Sequence, residues 1–468
     1  MMLKPPVKEM QRKGMEPAGF SLSWQKGETM RDVILHAFNW PLVKVADNAA
    51  AIAANGFGAV LLPPPLYSDQ NGLDWWQRYQ PKDYRIIRSF LGGKEQLKRA
   101  IQALHDVDVR VYADVVFNHM ANEKGQRDDP FNFPGEAELR RYRAERPSFE
   151  RDRLYGDLDV GLFSPWDFNP DGDIHNWNDP HESQEHQLSG LPDLDLSDWV
   201  VGQQRACLSA LNGIGFDGYR IDAIKHLPFD HISRVFQTPD MAGRLVFGEA
   251  LTCNDHEENI FLWPLLDRTA ISFYDFPLHE TLRRVFSPGG TMRELIDPAA
   301  CGQALPWHRG VTFSITHDIP CNDGFRWQML DPQDEFLANV YIFSRDGGIP
   351  LVFSDHNESA ERYGCDRDRW RDSWQRDDTV RMLSFHNAVH GMPQRPLFEN
   401  DGFIVFARGD RGIVAINKTE EWRHPRIWTC GLRHGHYRCM MHGWEMQVEG
   451  ESFEFSIPPR QAQLWLHQ

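Results

Sequence analysis

Three carboxylates stand at the ends of short apolar runs. Asp222 closes Gly218-Tyr219-Arg220-Ile221, Glu249 closes Leu245-Val246-Phe247-Gly248, and His317-Asp318 end the run that begins at Val311. A further run, 110–117, carries Asp114 and ends in Asn118-His119, and Lys225-His226 follow shortly after Asp222. One charge at the end of an apolar run is ordinarily a solvated strand terminus. Three carboxylates and two histidines on four such ends are harder to explain that way, because burying carboxylates without cationic or metal partners costs several kcal/mol. Such a cluster is usually retained for chemistry. Paired carboxylates suit cleavage of a glycosidic bond, in which one attacks the anomeric carbon and the other protonates the leaving oxygen. Arg220 and Asp222 share one side of an extended chain. Arg220 is therefore expected to keep Asp222 ionised, as a nucleophile requires. Glu249 follows an apolar run, an environment that raises a carboxyl pKa and suits an acid.

These residues need a frame that brings strand ends together. Runs 33–38, 59–62, 110–117, 218–223, 245–249, 271–276, 311–315 and 350–354 are rich in β-branched and aromatic residues and read as strands. Segments 43–55, 94–105, 199–211, 279–285, 334–343 and 379–390 read as helices, with Leu97, Ile101 and Leu104 on one face of the second and Gly56 as a C′ glycine after the first. Eight strands alternating with helices imply parallel pairing and right-handed crossovers. The count and length favour a (β/α)8 barrel over a doubly wound sheet, with the site at the C-terminal strand ends. Residues 120–197 break the rhythm and read as an inserted domain after strand 3. From 393 onward only strands and turns are visible, which implies a C-terminal antiparallel β domain. The expected division is 1–119 with 198–392 as barrel, 120–197 as insertion, and 393–468 as β domain.

Composition narrows the partners. A net charge of −17 repels phosphate backbones, so nucleic acid is not an expected ligand. No apolar run is long enough to span a bilayer, and the first residues lack a signal-peptide pattern. A cytoplasmic monomer is expected, secretion being the alternative if a signal was removed. The seven cysteines are scattered without CxxC spacing, which suggests neither a zinc site nor a disulfide framework. Trp40, Trp75 and Trp76 suit either a cleft wall or the core.

The same residues resemble the α-amylase family, glycoside hydrolase family 13. The segments 114–119, 216–226, 247–250 and 313–318 are similar to its four signature regions, and Leu191-Pro192-Asp193-Leu194-Asp195 to the extra region at the end of its inserted domain. All five occur in the family's order and spacing. The resemblance implies Asp222 as nucleophile, Glu249 as acid/base and Asp318 as the carboxylate that orients the sugar. It implies substrate contacts from Tyr79, His119, Arg220, Lys225, His226 and His317, Tyr79 being the stacking ring. A structural calcium is implied between barrel and insertion, held by Asn118, Asp193 and the main-chain oxygen of His226; such oxygen ligands suit calcium. A further ligand is expected from 150–190, where Asp157, Asp159, Asp179 and Glu182 are open candidates. The expected activity is retaining hydrolysis of internal α-1,4 bonds in starch- or glycogen-type glucans. Transglycosylation or oligosaccharide hydrolysis is the near alternative, and a non-catalytic glucan-binding protein a distant one. Thr316 departs from the family's usual Asn before His-Asp, which speaks against the chloride site of some members.

Overall fold

The computed structural model describes residues 31–69, 74–170, 172–356 and 368–468. Eight strands close into a barrel: β1 Ile34–Phe38, β2 Ala59–Leu62, β3 Arg110–Val115, β4 Gly218–Ile221, β5 Leu245–Gly248, β6 Ser272–Tyr274, β7 Gly310–Thr312 and β8 Ile349–Asp355. They lie in chain order around the ring, each parallel to its neighbours, and β8 returns to pair with β1 through Ile34↔Leu351 to Phe38↔Asp355. Helices follow them: α1 Leu42–Asn55, α2 Lys94–His105, α3 Asp198–Ile214, α4 Phe229–Phe236, α5 Trp263–Arg268, α6 Phe276–Phe286, α7 Pro332–Ser344 and α8 Asp377–Val389.

Both faces of each strand are buried, which is why the runs read as continuously apolar. Ile34, Phe38, Leu61, Tyr112, Phe247, Tyr274, Val311 and Phe353 fill the barrel interior in one cluster. Their alternates, among them Leu35, Val60, Val111, Tyr219 and Val246, pack outward with the helices in another. The helix ends carry the expected chemistry. Gly56 takes φ 104° after α1, and the Ser197 hydroxyl accepts from the Val200 amide at the start of α3. Strands 6 and 7 are shorter than their apolar runs, because the residues beyond Tyr274 and Thr312 leave the ladder to form the rim.

Three features were not visible in the periodicity, the first being the helices α4 and α5 that follow β4 and β5. Leu66–Ser68 pairs with Pro81–Ser89 above β2, and the aperiodic stretch after β3 contains the short helices Glu136–Ala144, Arg146–Asp152 and Pro180–Glu185. Beyond α8 the chain forms a six-stranded antiparallel sheet of β9 Gln394–Glu399, β10 Phe403–Arg408, β11 Gly412–Asn417, β12 Gly435–Cys439, β13 Glu445–Val448 and β14 Gln461–His467, in the order β9-β10-β11-β14-β12-β13. Among the described residues no helix is long and apolar enough to cross a membrane. Cys207, Cys253, Cys301, Cys321, Cys430 and Cys439 are free thiols, and Cys365 lies outside the described residues.

Candidate active site

The barrel register sets the centre of the site. Asp114 on β3 lies directly across from Arg220 on β4. Arg220 is fully buried and its guanidinium meets three carboxylates: Nη1 donates to Asp114 Oδ1 at 2.8 Å and to Asp222 Oδ1 at 2.9 Å, while Nη2 pairs with Glu249 Oε2 at 2.5 Å. One cation thus faces three buried carboxyl groups, and burial favours the protonated form of each. Ala223, just after Asp222, sits at φ 48°, ψ 37°, a left-handed conformation unfavourable for alanine. The turn ends β4 abruptly and is held by the Ile224 amide donating to the Glu249 carbonyl at 3.1 Å.

Burial pushes the carboxyl pKa of Glu249 upward, Arg220 opposes, and the Asp222 charge adds to the rise. Burial also raises Asp222 despite the opposing Arg220, so that guanidinium does not alone set its charge as expected from the sequence. Asp318 begins the short helix Asp318–Cys321 at the rim. Desolvation raises it well above the carboxylate range, with Glu249 and Asp222 repelling its charge, so all three acids share one electrostatic environment.

The substrate-contact candidates gather round this centre. Tyr79 donates its hydroxyl to Asp114 Oδ2 at 2.9 Å and stacks on His317, with ring centroids 5.1 Å apart and planes 9° off parallel. His119 Nε2 donates to the Tyr79 carbonyl at 3.0 Å, and burial lowers its pKa to about 4, so the ring is neutral. His317 is likewise held neutral by burial and by the Arg220 charge. Lys225 points to the β5 loop, donating to the Leu251 carbonyl at 2.9 Å, and its pKa is lowered by burial. His226 donates from Nδ1 to the Ser183 carbonyl at 2.7 Å, which ties the rim to the insertion.

Of the tryptophans left open, Trp40 is core, packed on Trp374 and donating to the Ser354 carbonyl. Trp75 belongs to the site, 5.5 Å from the His317 ring and 5.9 Å from Tyr79. Trp76 is partly exposed.

Three other residues escaped the sequence reading. Asp114 was seen within its strand but not as the anchor of both Tyr79 and Arg220. His36, inside the apolar β1, packs edge-on to His317 at 5.4 Å with no hydrogen-bond partner for either nitrogen. A lone histidine in such a run was its available signal. Trp177, from the aperiodic insertion, lies edge-on to His226 at 6.0 Å and is half-exposed.

An oxygen-rich site lies between β3 and the insertion. The buried Asn118 Oδ1 has no hydrogen-bond partner. Asp193 is bridged to His119 through the backbone, and its buried carboxylate accepts 2.7 Å from Asn169 Nδ2. Burial raises the Asp193 pKa well above normal, and Glu185 and Asp195 add repulsion. Among the described residues, an unpaired buried amide oxygen and a buried carboxylate with no cationic partner stand on segments that pair with each other, which fits a hard cation. Asn169 is the side chain of the 150–190 segment that reaches Asp193. The four acids left open there are engaged locally: Asp159 with Arg146, Asp157 with the Asp159 amide, Asp179 with the His181 amide, and Glu182 with the His175 and Asn176 amides. The Thr316 hydroxyl is buried without a partner.

Known proteins match the chain along most of its length. Residues 50–263 match the α-amylase catalytic domain, and 398–468 match the α-amylase C-terminal all-β domain. An α-amylase of Aeromonas hydrophila is 47% identical over 400 residues, covering 83% of this chain and 84% of its own length. The structure of α-amylase I from Eisenia fetida superposes with a TM-score of 0.77 at 21% identity, covering 94% of this chain and 97% of that one. The cyclomaltodextrin glucanotransferase CldA superposes with a TM-score of 0.68 at 18% identity, covering 93% and 99%. With both family domains matched in chain order and nearly half the residues shared with a relative along most of its length, this chain belongs to the α-amylase family of glycoside hydrolases.

Proposed function

We propose that the enzyme hydrolyses internal α-1,4-glucosidic bonds of starch- or glycogen-type glucans with retention of configuration. The observation that carries this is the single buried guanidinium shared by Asp222 and Glu249. It holds two carboxylates close together at adjacent strand ends, the arrangement suited to double displacement. Asp222 attacks the anomeric carbon while Glu249 gives its proton to the leaving oxygen. Glu249, now a carboxylate, then takes a proton from the water that cleaves the glycosyl–Asp222 ester. Asp318 accepts hydrogen bonds from sugar hydroxyls, Tyr79 offers a ring face, and His119 and His317, both neutral, hydrogen-bond to the sugar in the same subsite. Lys225, His226 and the half-exposed Trp177 border the leaving-group side. In this reading 1–119 and 198–392 form the catalytic barrel, 120–197 the inserted domain and 393–468 the β domain.

Incubation with soluble starch, followed by chain-length analysis and proton NMR of newly formed reducing ends, tests the proposal. A rapid fall in polymer length with α-anomers appearing first is expected. β-Anomers first would exclude the Asp222 nucleophile, and cyclic or lengthened products would assign transfer instead.

The raised pKa of Glu249 has a kinetic consequence. The acid form is the active one, so kcat/KM is expected to fall as pH rises through that pKa, on an alkaline limb displaced upward from the ordinary carboxylate range. With an aryl maltooligoside whose leaving group needs no proton, Glu249→Gln is expected to lose the alkaline limb and keep the acid limb. An alkaline limb that survives the substitution belongs to another group.

Asn118, Asp193 and the main-chain oxygen of His226 are proposed to hold calcium, which would neutralise buried negative charge and bind the insertion to the barrel. Chelation is expected to lower the melting temperature and added calcium to restore it, since a ligand bound only to the native state stabilises it. Asn118→Ala is expected to abolish that response. A chelator-insensitive melt together with no calcium by elemental analysis would refute the site.

A further inference from the structure

Far from the carboxylates, the segment preceding β1 meets the end of α8. Asp32 is buried there against His386 and His390, and one carboxylate oxygen of Asp32 and one ring nitrogen of each histidine all lie within 4.8 Å of one another. His386 lies in the last turn of α8, and His390 is the residue that follows the helix directly. We propose that Asp32, His386 and His390 form a binding site for a divalent transition-metal ion of the zinc type, distinct from the calcium site.

The hydrogen bonding of His386 carries the argument. Its Nδ1 lies 3.0 Å from the Phe343 carbonyl, which only accepts, so Nδ1 carries the proton. Its Nε2 then faces Asp32 Oδ1 at 2.8 Å. A lone pair and a carboxylate at that distance repel unless positive charge lies between them. A second proton meets that need, and so does a metal ion. His390 favours the metal. Its Nε2 faces Asp32 Oδ2 at 3.5 Å and makes no hydrogen bond among the described residues. A simple ion pair between Asp32 and His386 leaves that buried nitrogen unused, whereas an ion between the three side chains uses it. The Nδ1-to-carbonyl bond of His386 is also the usual outer support of a metal-ligating imidazole, fixing the tautomer whose Nε2 points inward.

Two imidazoles and one carboxylate suit zinc with water as fourth ligand, whereas calcium prefers all-oxygen sets. At zinc–ligand distances of about 2.0–2.1 Å the Asp32–His386 pair must open slightly. The side chain of His390 is 26% exposed, which provides an entry path. Arg110 and Arg408 are the cations facing the cluster, acting on Asp32 and on both Asp32 and His390 respectively. The Arg408 guanidinium is held by the carbonyls of Val389, Met392, Ser344 and Arg345. Their charge opposes a cation and makes the expected affinity weaker than that of a closed structural zinc site. Because Asp32 and His386 are 354 residues apart, an ion here would fasten the first strand of the barrel to its last helix.

The test uses full-length protein stripped of metal and then saturated with calcium. Zinc chloride is titrated by calorimetry and by thermal denaturation, and cobalt chloride by visible absorption. The wild type is expected to bind one zinc ion with a rise in melting temperature and to give the intense visible bands of tetrahedral cobalt. His390→Gln keeps the Asp32–His386 pair and should weaken zinc binding at least tenfold and remove the cobalt bands. Equal zinc affinity in wild type and His390→Gln would overturn the proposal, as would the absence of both zinc binding and cobalt bands in the wild type. The cobalt spectrum of the wild type keeps the test decisive should the variant fold poorly.

Discussion

Glu249→Gln is expected to cut turnover on starch by about 10²–10⁴-fold, the worth of a positioned general acid. Asp222→Asn should cost more, because no neighbouring group can replace a lost nucleophile. Neither variant should unfold. Arg220 pairs with Asp114, Asp222 and Glu249 alike, so replacing one of the three carboxylates by an isosteric amide reduces repulsion and leaves the cation paired. Melting temperatures at or above that of the wild type are therefore expected beside the lost activity. Turnover by either variant within tenfold of the wild type would overturn its assignment. Lost activity accompanied by a large fall in melting temperature would instead mark the residue as structural.

Arg220→Met is expected to have the largest combined effect. It removes the guanidinium that, among the described residues, pairs with all three carboxylates, while keeping most of the side-chain volume. Breaking a buried pair from one side costs roughly 3–5 kcal/mol. The sign with pH follows from the shifts. Burial already raises Asp114, Asp222 and Glu249, and Arg220 is the charge that opposes the rise in each. Without it their folded-state pKa values move further above those of the unfolded chain. A raised carboxyl favours the folded state below the unfolded pKa, and that advantage is lost as pH rises through the folded pKa. The deficit against wild type should therefore be small near pH 4 and grow through neutral pH. Activity should fall as well, because a further rise in the Asp222 pKa lowers the ionised fraction able to attack at any given pH. Melting curves of both proteins from pH 4 to 8 would check this. A deficit independent of pH would show that Arg220 acts through packing and not charge. Arg220→Lys should recover only part of the loss, since a point charge cannot span three partners as a planar guanidinium does.

Much of this site was legible because its signals are local. Asp222, Glu249 and Asp318 each sit at the end of an apolar run, and alternation along β4 alone places Arg220 beside Asp222. Tyr79 was ambiguous between ring platform and core residue. The hydroxyl bond to Asp114 and the stack on His317 place it at the site's wall, and both depend on contacts between separate elements. Trp40 read in the same two ways and is core. The helices of the 120–197 segment were hidden because six to nine residues are too few to show a 3.6-residue period above the noise of Asp, Asn and Pro.

The sequence by itself determined the eight strands and six of the helices between them, the parallel barrel that follows from them, the all-β character after residue 393, and which acids stand at strand ends. These rest on hydrophobic period and turn chemistry, which act over a few residues. Only the tertiary structure decided that Asp114 anchors both Tyr79 and Arg220, that Arg220 reaches Glu249 as well as Asp222, that Trp177 meets His226, and that Asp32 meets His386 and His390. Each of these contacts depends on barrel closure, strand register or the folding of the insertion onto the rim. Such long-range geometry is set by the packing of the whole chain and leaves no period in any short stretch of it.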